Sequence, residues 1–428
     1  MMRTHAWFPL LLGALLGTQI EPATAYPIDA YPQTGIARLE GFRLAQEGKV
    51  AGNRLPPGAQ LKTEDIKLRL EAFPDFVIPP PDKDFTRRVV AMLGAEAKDY
   101  SVSVLDLSDP AAPLYAEHNG TLRRNPGSVG KLMVGLALFQ ALADLYPDDV
   151  EARRKVLRES QVTVDNFIHK EHHEVPIWLP AENRMPRRQL REGDTANLWS
   201  FMDWMLSASS NGAATMVIKQ LMLLRHFGTG YPTEAARGEV FFRETAPKRL
   251  GEMLVDDLTT PISRNGLDVE NLRQGSFFSH NAKRFVPGTN SVATTHELMR
   301  YLVKLEQGKL VDHWSSLELK RLLYMTQRRI RYASSPALND AAVFFKSGSL
   351  YRCRPEEGFV CRKYQGNVEN LMNSVAIVES PAGEPRLFYM VAITSDVKKK
   401  NSAAEHQALA SRLHALLKER RPGSASAG

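Results

Sequence analysis

The chain has 428 residues, 43% of them hydrophobic, only two cysteines and a formal net charge of +7. It is long enough for a large core, as two to three domain-sized units or as one interleaved body with an extension. The positive charge sits in runs without interleaved aromatics, a pattern that excludes nucleic acid as the natural partner.

At the N-terminus Arg3 and His5 open a mostly apolar run from Trp7 to Leu16, followed by Ala23-Thr24-Ala25. This reads as a secretory signal cleaved near Ala25, which predicts a secreted or periplasmic chain starting near Tyr26. The run is shorter than the ~20 residues of a spanning helix. No cysteine near the cleavage site offers a lipid anchor, and no later stretch reads as a span, so stable membrane insertion is not expected. The basic runs Arg184–Arg191, Arg328–Arg331 and Lys398–Lys400 read as solvated faces that suit an envelope rich in anionic polymers.

Residues 26–82 are punctuated by Leu55-Pro56-Pro57-Gly58 and Pro79-Pro80-Pro81 and read as an extension, with one helix over about 34–46. The body begins near Phe85 with a helix. Ser101–Leu107 alternates as a half-buried strand does, with Leu114–His118 as its hairpin partner. A helix is predicted from Ser128 to about Leu145. Residues 146–194 and 226–292 read as mostly irregular, apart from a helix near 247–258. Ala196–Leu206 and Gly212–Leu224 read as helices flanking a turn, and Thr294–Gln307 and Ser316–Met325 as two more. Strand-like runs follow at 342–347, 374–380 and 386–394, then a helix over 403–418 and a disordered tail from about 420 to 428. Strands at both ends and helices between them predict an α+β body over 83–419. One antiparallel sheet would pack beside an all-helical subdomain, about 125–325, with a cleft at the junction.

Three short elements carry the chemistry. Ser128 precedes Lys131 by three residues at a helix start, so hydroxyl and amine share one face. Lysine can activate serine once burial and neighbouring cations lower its pKa. Ser209-Ser210-Asn211 lies in the interhelical turn, and Lys346-Ser347-Gly348 ends a strand. Ser128 is then the nucleophile, Lys131 the base, and Ser209 the proton carrier to the leaving nitrogen. Asn211 would bind a substrate amide, and Lys346 would hold Ser209 while attracting a carboxylate that Ser347 binds. The Ser128 and Ser349 backbone N–H groups would form the oxyanion hole. A second Ser-x-x-Lys, Ser395 to Lys398, has no helix after it and reads as chance. Cys353 and Cys361 should pair in an oxidising compartment and brace one wall of the site.

The three elements resemble the Ser-x-x-Lys, Ser-Asp-Asn and Lys-Thr-Gly set of class A β-lactamases and penicillin-binding proteins. The resemblance runs from about Phe85 to Glu419 and includes Gly193-Asp194-Thr195-Ala196 and Pro287-Gly288 through Thr294-Thr295. It implies the three-layer α/β/α β-lactamase/transpeptidase-like fold. It also implies small-molecule β-lactams or peptidoglycan peptides as substrates. No metal or organic cofactor is implied. Ser210 stands where class A enzymes usually carry Asp, and Ser347 keeps the hydroxyl of Thr. The family's deacylating Glu has no counterpart at its usual place: counting back from Pro287 gives Ser279-His280-Asn281-Ala282-Lys283, and the nearest upstream carboxylate is Glu270, which an insertion after it could still bring to the site.

The reading is a monomeric serine hydrolase, β-lactamase-like. A D,D-peptidase or other serine amidase or esterase is one alternative, and a non-hydrolytic β-lactam- or peptidoglycan-binding or sensing module is another. His169, His172 and His173 with Glu171 and Glu174 have spacings that suit zinc, but read as an exposed polar loop. Trp178, Trp199 and Trp204 read as core or cleft wall.

Overall fold

The computed structural model describes residues 24–52, 54–168 and 172–420. Most of the expected signal, the expected tail, His169 and Glu171 lie outside the described residues.

The extension packs against the body rather than hanging from it. Helix α1 (Ala37–Gln46) buries Arg38, Leu39, Gly41 and Ala45. Tyr26, Ile36, Leu39, Ile66 and Leu70 belong to the same apolar cluster as the helical layer. Buried charge fastens it as well. Arg38 forms an ion pair with Asp203, both side chains almost fully buried, and the Tyr26 hydroxyl donates to Glu318. Periodicity in α1 is visible from sequence, but the partner across the interface is not.

Strands β1 (Tyr100–Asp106) and β2 (Leu114–His118) form the first hairpin. The chain then enters the helical layer. Helix α2 (Lys131–Leu145) runs through its centre with twelve residues buried. It is followed by α3 (Leu198–Leu206), α4 (Asn211–Phe227) and α5 (Thr295–Glu306). The chain returns to the sheet with β3 (Ala342–Arg352), β4 (Glu369–Ser380) and β5 (Leu387–Ser395), and α6 (Ser402–Glu419) closes it. The sheet order is β3-β4-β5-β1-β2, antiparallel throughout. Sheet strands thus come from both ends of the body, as the alternation of element types requires.

Both faces of the sheet are covered. Val102, Val104, Val391 and Ile393 pack with Leu409 and Leu413 of α6, while Leu105, Leu107 and Met390 face the helical layer. This corrects the half-buried reading of β1. Ser101 and Ser103, taken as solvent-facing, are buried, and Ser103 donates to Thr295 Oγ1 of α5 at 3.1 Å. The segment from Gly127 to Leu145 is long and apolar enough to cross a membrane, contrary to expectation. It is the core helix of the helical layer with the 3₁₀ turn before it, mostly buried, and its α-helical part opens on Lys131.

The two stretches read as irregular hold further elements. Helices span Val150–Glu159, Ala235–Glu244 and His280–Phe285, and two short antiparallel strand pairs join 161–163 with 195–197 and 174–176 with 187–189. Val150–Glu159 was hidden by its charge. It buries only Arg153, Val156 and Leu157, so its apolar stripe is too thin to register.

Candidate active site

Ser128 stands in a 3₁₀ turn, Gly127–Gly130, that runs straight into α2. Asn125 Oδ1 accepts from the Gly127 N–H at 2.9 Å, and Gly127 takes φ +52°, a conformation that favours glycine. This turn aims the Ser128 hydroxyl along the first turn of α2. Lys131, wholly buried, donates from Nζ to Ser128 Oγ at 2.9 Å, Ser209 O at 2.7 Å and Asn211 Oδ1 at 2.8 Å. Once neutral, the same amine can accept the Ser128 proton over the same 2.9 Å.

Ser209 is presented by strain. It holds φ +60°, a left-handed conformation that costs a non-glycine residue of order 1 kcal/mol or more. Ser210, next in the chain, caps α4 by accepting from Ala213 N at 2.9 Å. A serine serves as well as the family's Asp in that capping task. Asn211 opens the helix with its side chain on Lys131.

From the sheet side, Lys346 Nζ donates to Ser209 Oγ at 2.8 Å and to Ser347 O at 3.1 Å. Burial, then Lys131, then Arg331 hold its pKa well below the usual lysine range. Gly348 lets β3 touch the nucleophile turn. A Cβ there would fall 2.3 Å from Pro126 O and 2.5 Å from Ser128 N. Ser349 N lies 3.3 Å from where a Gly127 Cβ would stand, which brings the Ser128 and Ser349 backbones to one edge of the cleft.

The structure brings together Ser128, Lys131, Ser209, Asn211, Lys346, Ser347, Gly348 and Ser349. It adds residues that the sequence reading missed. Arg331, taken as part of a solvated run, turns into the cleft with φ +53°. Its guanidinium donates to Ser347 Oγ at 2.8 Å, Ser349 Oγ at 3.1 Å and Tyr364 Oη at 3.0 Å. Burial pushes the Tyr364 phenol up, but Arg331 and Lys363 together outweigh it and the net shift is down. Arg329, from the same run, is half-buried, donates to Ala341 O at 2.7 Å, and is held down at about 10, mainly by loss of solvent. The only hint in the sequence was that this basic run sits just before the strand carrying Lys346.

Phe278 was also missed. Its ring centroid is 4.7 Å from Lys131 Nζ. Glu270 does not reach the site: it lies on the surface beside Arg273, at 3.6 Å, and Arg123, at 4.0 Å. The cleft holds about 1610 Å³, and Glu174 is the one carboxylate among the described residues that line it. His172 and His173 line it too rather than standing apart from it. Among the described residues no group of three or more His, Cys, Asp or Glu could hold a metal.

The second Ser-x-x-Lys is indeed separate. Ser395 Oγ pairs with His406 Nε2 at 2.9 Å, and Lys398 pairs with Asp396. Cys353 and Cys361 are joined in the β3–β4 hairpin. The three tryptophans are core residues, and Trp204 Nε1 donates to Pro176 O at 3.2 Å.

A five-stranded antiparallel sheet between helical layers, with a Ser/Lys pair at the junction, defines the serine β-lactamase/transpeptidase-like fold, and the chain has it. It is similar to the crystal structure of TLA-3 extended-spectrum β-lactamase, at 12% identity and TM-score 0.51, over 78% of this chain and 98% of that one. It is similar also to a class A β-lactamase from Bacteroides cellulosilyticus, at 15% identity and TM-score 0.50, over 80% of this chain and all of that one. No protein-family model and no curated protein matches the sequence.

Proposed function

We propose that this chain is an exported serine hydrolase that acts through an acyl-enzyme on β-lactams or D-alanyl-D-alanine-type cell-wall peptides. The observation that carries the reading is the contact of Lys131 Nζ with Ser128 Oγ at 2.9 Å. The two solved structures named above are β-lactamases, which supports the substrate class. Export rests on the apolar run from Trp7 to Leu16 and the small residues at 23–25.

In this reading neutral Lys131 takes the Ser128 proton as Ser128 Oγ attacks the carbonyl carbon. The oxyanion forms beside the Ser128 and Ser349 backbone N–H groups. Ser209, bonded to Lys346 and next to Lys131, passes the proton to the leaving nitrogen, and the C–N bond breaks. A substrate carboxylate sits on Ser347, Ser349 and Arg331.

Release is slow with β-lactams. Deacylation needs a base beside the ester, and Phe278 stands over Lys131 where a polar group would help. This favours a peptidase or penicillin binder over an efficient lactamase.

Incubation with labelled penicillin followed by mass spectrometry tests the reading. A persistent adduct on Ser128, absent in Ser128→Ala, is expected. No adduct and no turnover would overturn it, and rapid hydrolysis of a chromogenic cephalosporin would overturn the slow-release part alone.

A further inference from the structure

The cleft contains more positive charge than one substrate carboxylate needs. Lys346 is 2% exposed, yet its hydrogen-bond partners are Ser209 Oγ and Ser347 O, both uncharged. Arg331 is bonded to three hydroxyls, those of Ser347, Ser349 and Tyr364. Lys363 lies against the Tyr364 ring, 5.2 Å from its centroid, and lines the same cleft. No carboxylate among the described residues forms an ion pair with any of these three. The neighbouring run differs in kind: Lys398 pairs with Asp396, Lys399 with Glu356 and Lys400 with Glu96. Arg331 and Lys363 thus face the cleft without a carboxylate partner among the described residues, and leaving a half-buried cation such as Arg331 without a counter-charge costs stability that a bound anion would restore.

The arrangement has two stations. A carboxylate on the Ser347 and Ser349 hydroxyls is within reach of Arg331 and fills the first. Lys363 Nζ then remains as a second cation against the same aromatic ring, 5.2 Å from its centroid, which lies 4.8 Å from Arg331 Cζ. That ring is held firmly. Tyr364 O accepts from Ser402 N of α6 at 3.0 Å, and the hairpin that presents the ring is closed by the Cys353–Cys361 bridge.

Building on the acyl-enzyme reading, we propose that the leaving-group side of the cleft recognises an amine bearing two carboxylates, such as an amino dicarboxylic acid. Its α-carboxylate sits on Ser347, Ser349 and Arg331, and its side-chain carboxylate reaches Lys363 past the Tyr364 ring. Lys363 and Tyr364 are specificity-determining residues in this scheme. They do not touch the reacting bond.

The test is protection of Ser128 from labelled penicillin by two competitors, N-acyl-D-alanyl-D-alanine and N-acyl-D-alanyl-D-glutamate. The diacid is expected to protect at about tenfold lower concentration at low salt. Because Lys363 is exposed, the advantage should shrink as salt rises past ~0.1 M, where the screening length is ~10 Å. Lys363→Ala should bring the two competitors close to equal, and Lys363→Glu should make the diacid the weaker. Equal protection by wild type, protection by neither peptide, or an advantage unchanged in both variants would overturn the proposal. Failure of penicillin to label Ser128 at all would instead overturn the acyl-enzyme reading on which it rests.

Discussion

Lys346 Nζ donates to Ser209 Oγ at 2.8 Å across the junction between sheet and helical layer. This contact ties a strand residue to a turn residue 137 positions earlier, so the geometry of the relay depends on how the two layers dock. It also holds an amine where burial, Lys131 and Arg331 all oppose a positive charge.

That opposition has a measurable pH signature. The folded pKa of Lys346 lies below its unfolded value near ~10.4, so at intermediate pH the unfolded chain binds the proton more strongly. The wild type therefore gains stability as pH rises toward ~10.4, and loses it as pH falls through the folded value. Lys346→Met lacks this slope. It should melt higher than wild type near neutral pH, with the difference shrinking toward about pH 10, while penicillin acylation drops by about a hundredfold. Thermal melts across pH, with acylation rates beside them, check both halves.

Phe278 covers Lys131 at 4.7 Å, and a carboxylate there could pair with the lysine and orient a water. Phe278→Glu should shorten the life of the penicillin adduct by at least about tenfold. A mass-spectrometric time course reads this directly. An unchanged lifetime would mean the apolar cover is not what slows release.

Gly348 is required by contact, since a Cβ would fall 2.5 Å from Ser128 N and 2.3 Å from Pro126 O. Both are backbone atoms with nowhere to swing. Gly348→Ala should cost about 1–3 kcal/mol of stability and push the nucleophile turn away from β3. Denaturant melts and the acylation rate should fall together.

Arg38 joins the N-terminal extension to Asp203 of α3 through a pair hidden from water. Arg38→Ala leaves the carboxylate buried alone, and should cost about 3–5 kcal/mol. The double variant Arg38→Met with Asp203→Leu should recover most of that loss. A denaturant titration of the three variants separates a docked extension from a dispensable one, which would show little change in any of them.

The elements that were legible are those with strong periodicity or sharp punctuation: the apolar run of α2, the strands at both ends, and the serine and lysine spacing at a helix start. These are local, and local geometry follows from a few neighbouring residues. The helix at 150–159 was lost because charged residues occupy most of its surface, and β1 was misread because α6 and the helical layer cover both faces of the sheet, with Ser103 finding a partner in α5.

Sequence alone determined the strands at the two ends of the body, the main helices between them, the cysteine pair and the nucleophile–base spacing, because each depends on residues close in the chain. Tertiary structure decided what surrounds them. Arg331 reaches Ser347 and Ser349 through a left-handed turn, Phe278 comes to lie on Lys131, and Arg38 finds Asp203 in the helical layer. Such contacts join residues far apart in sequence, and they form only where packing of the two layers makes the chain fold back on itself.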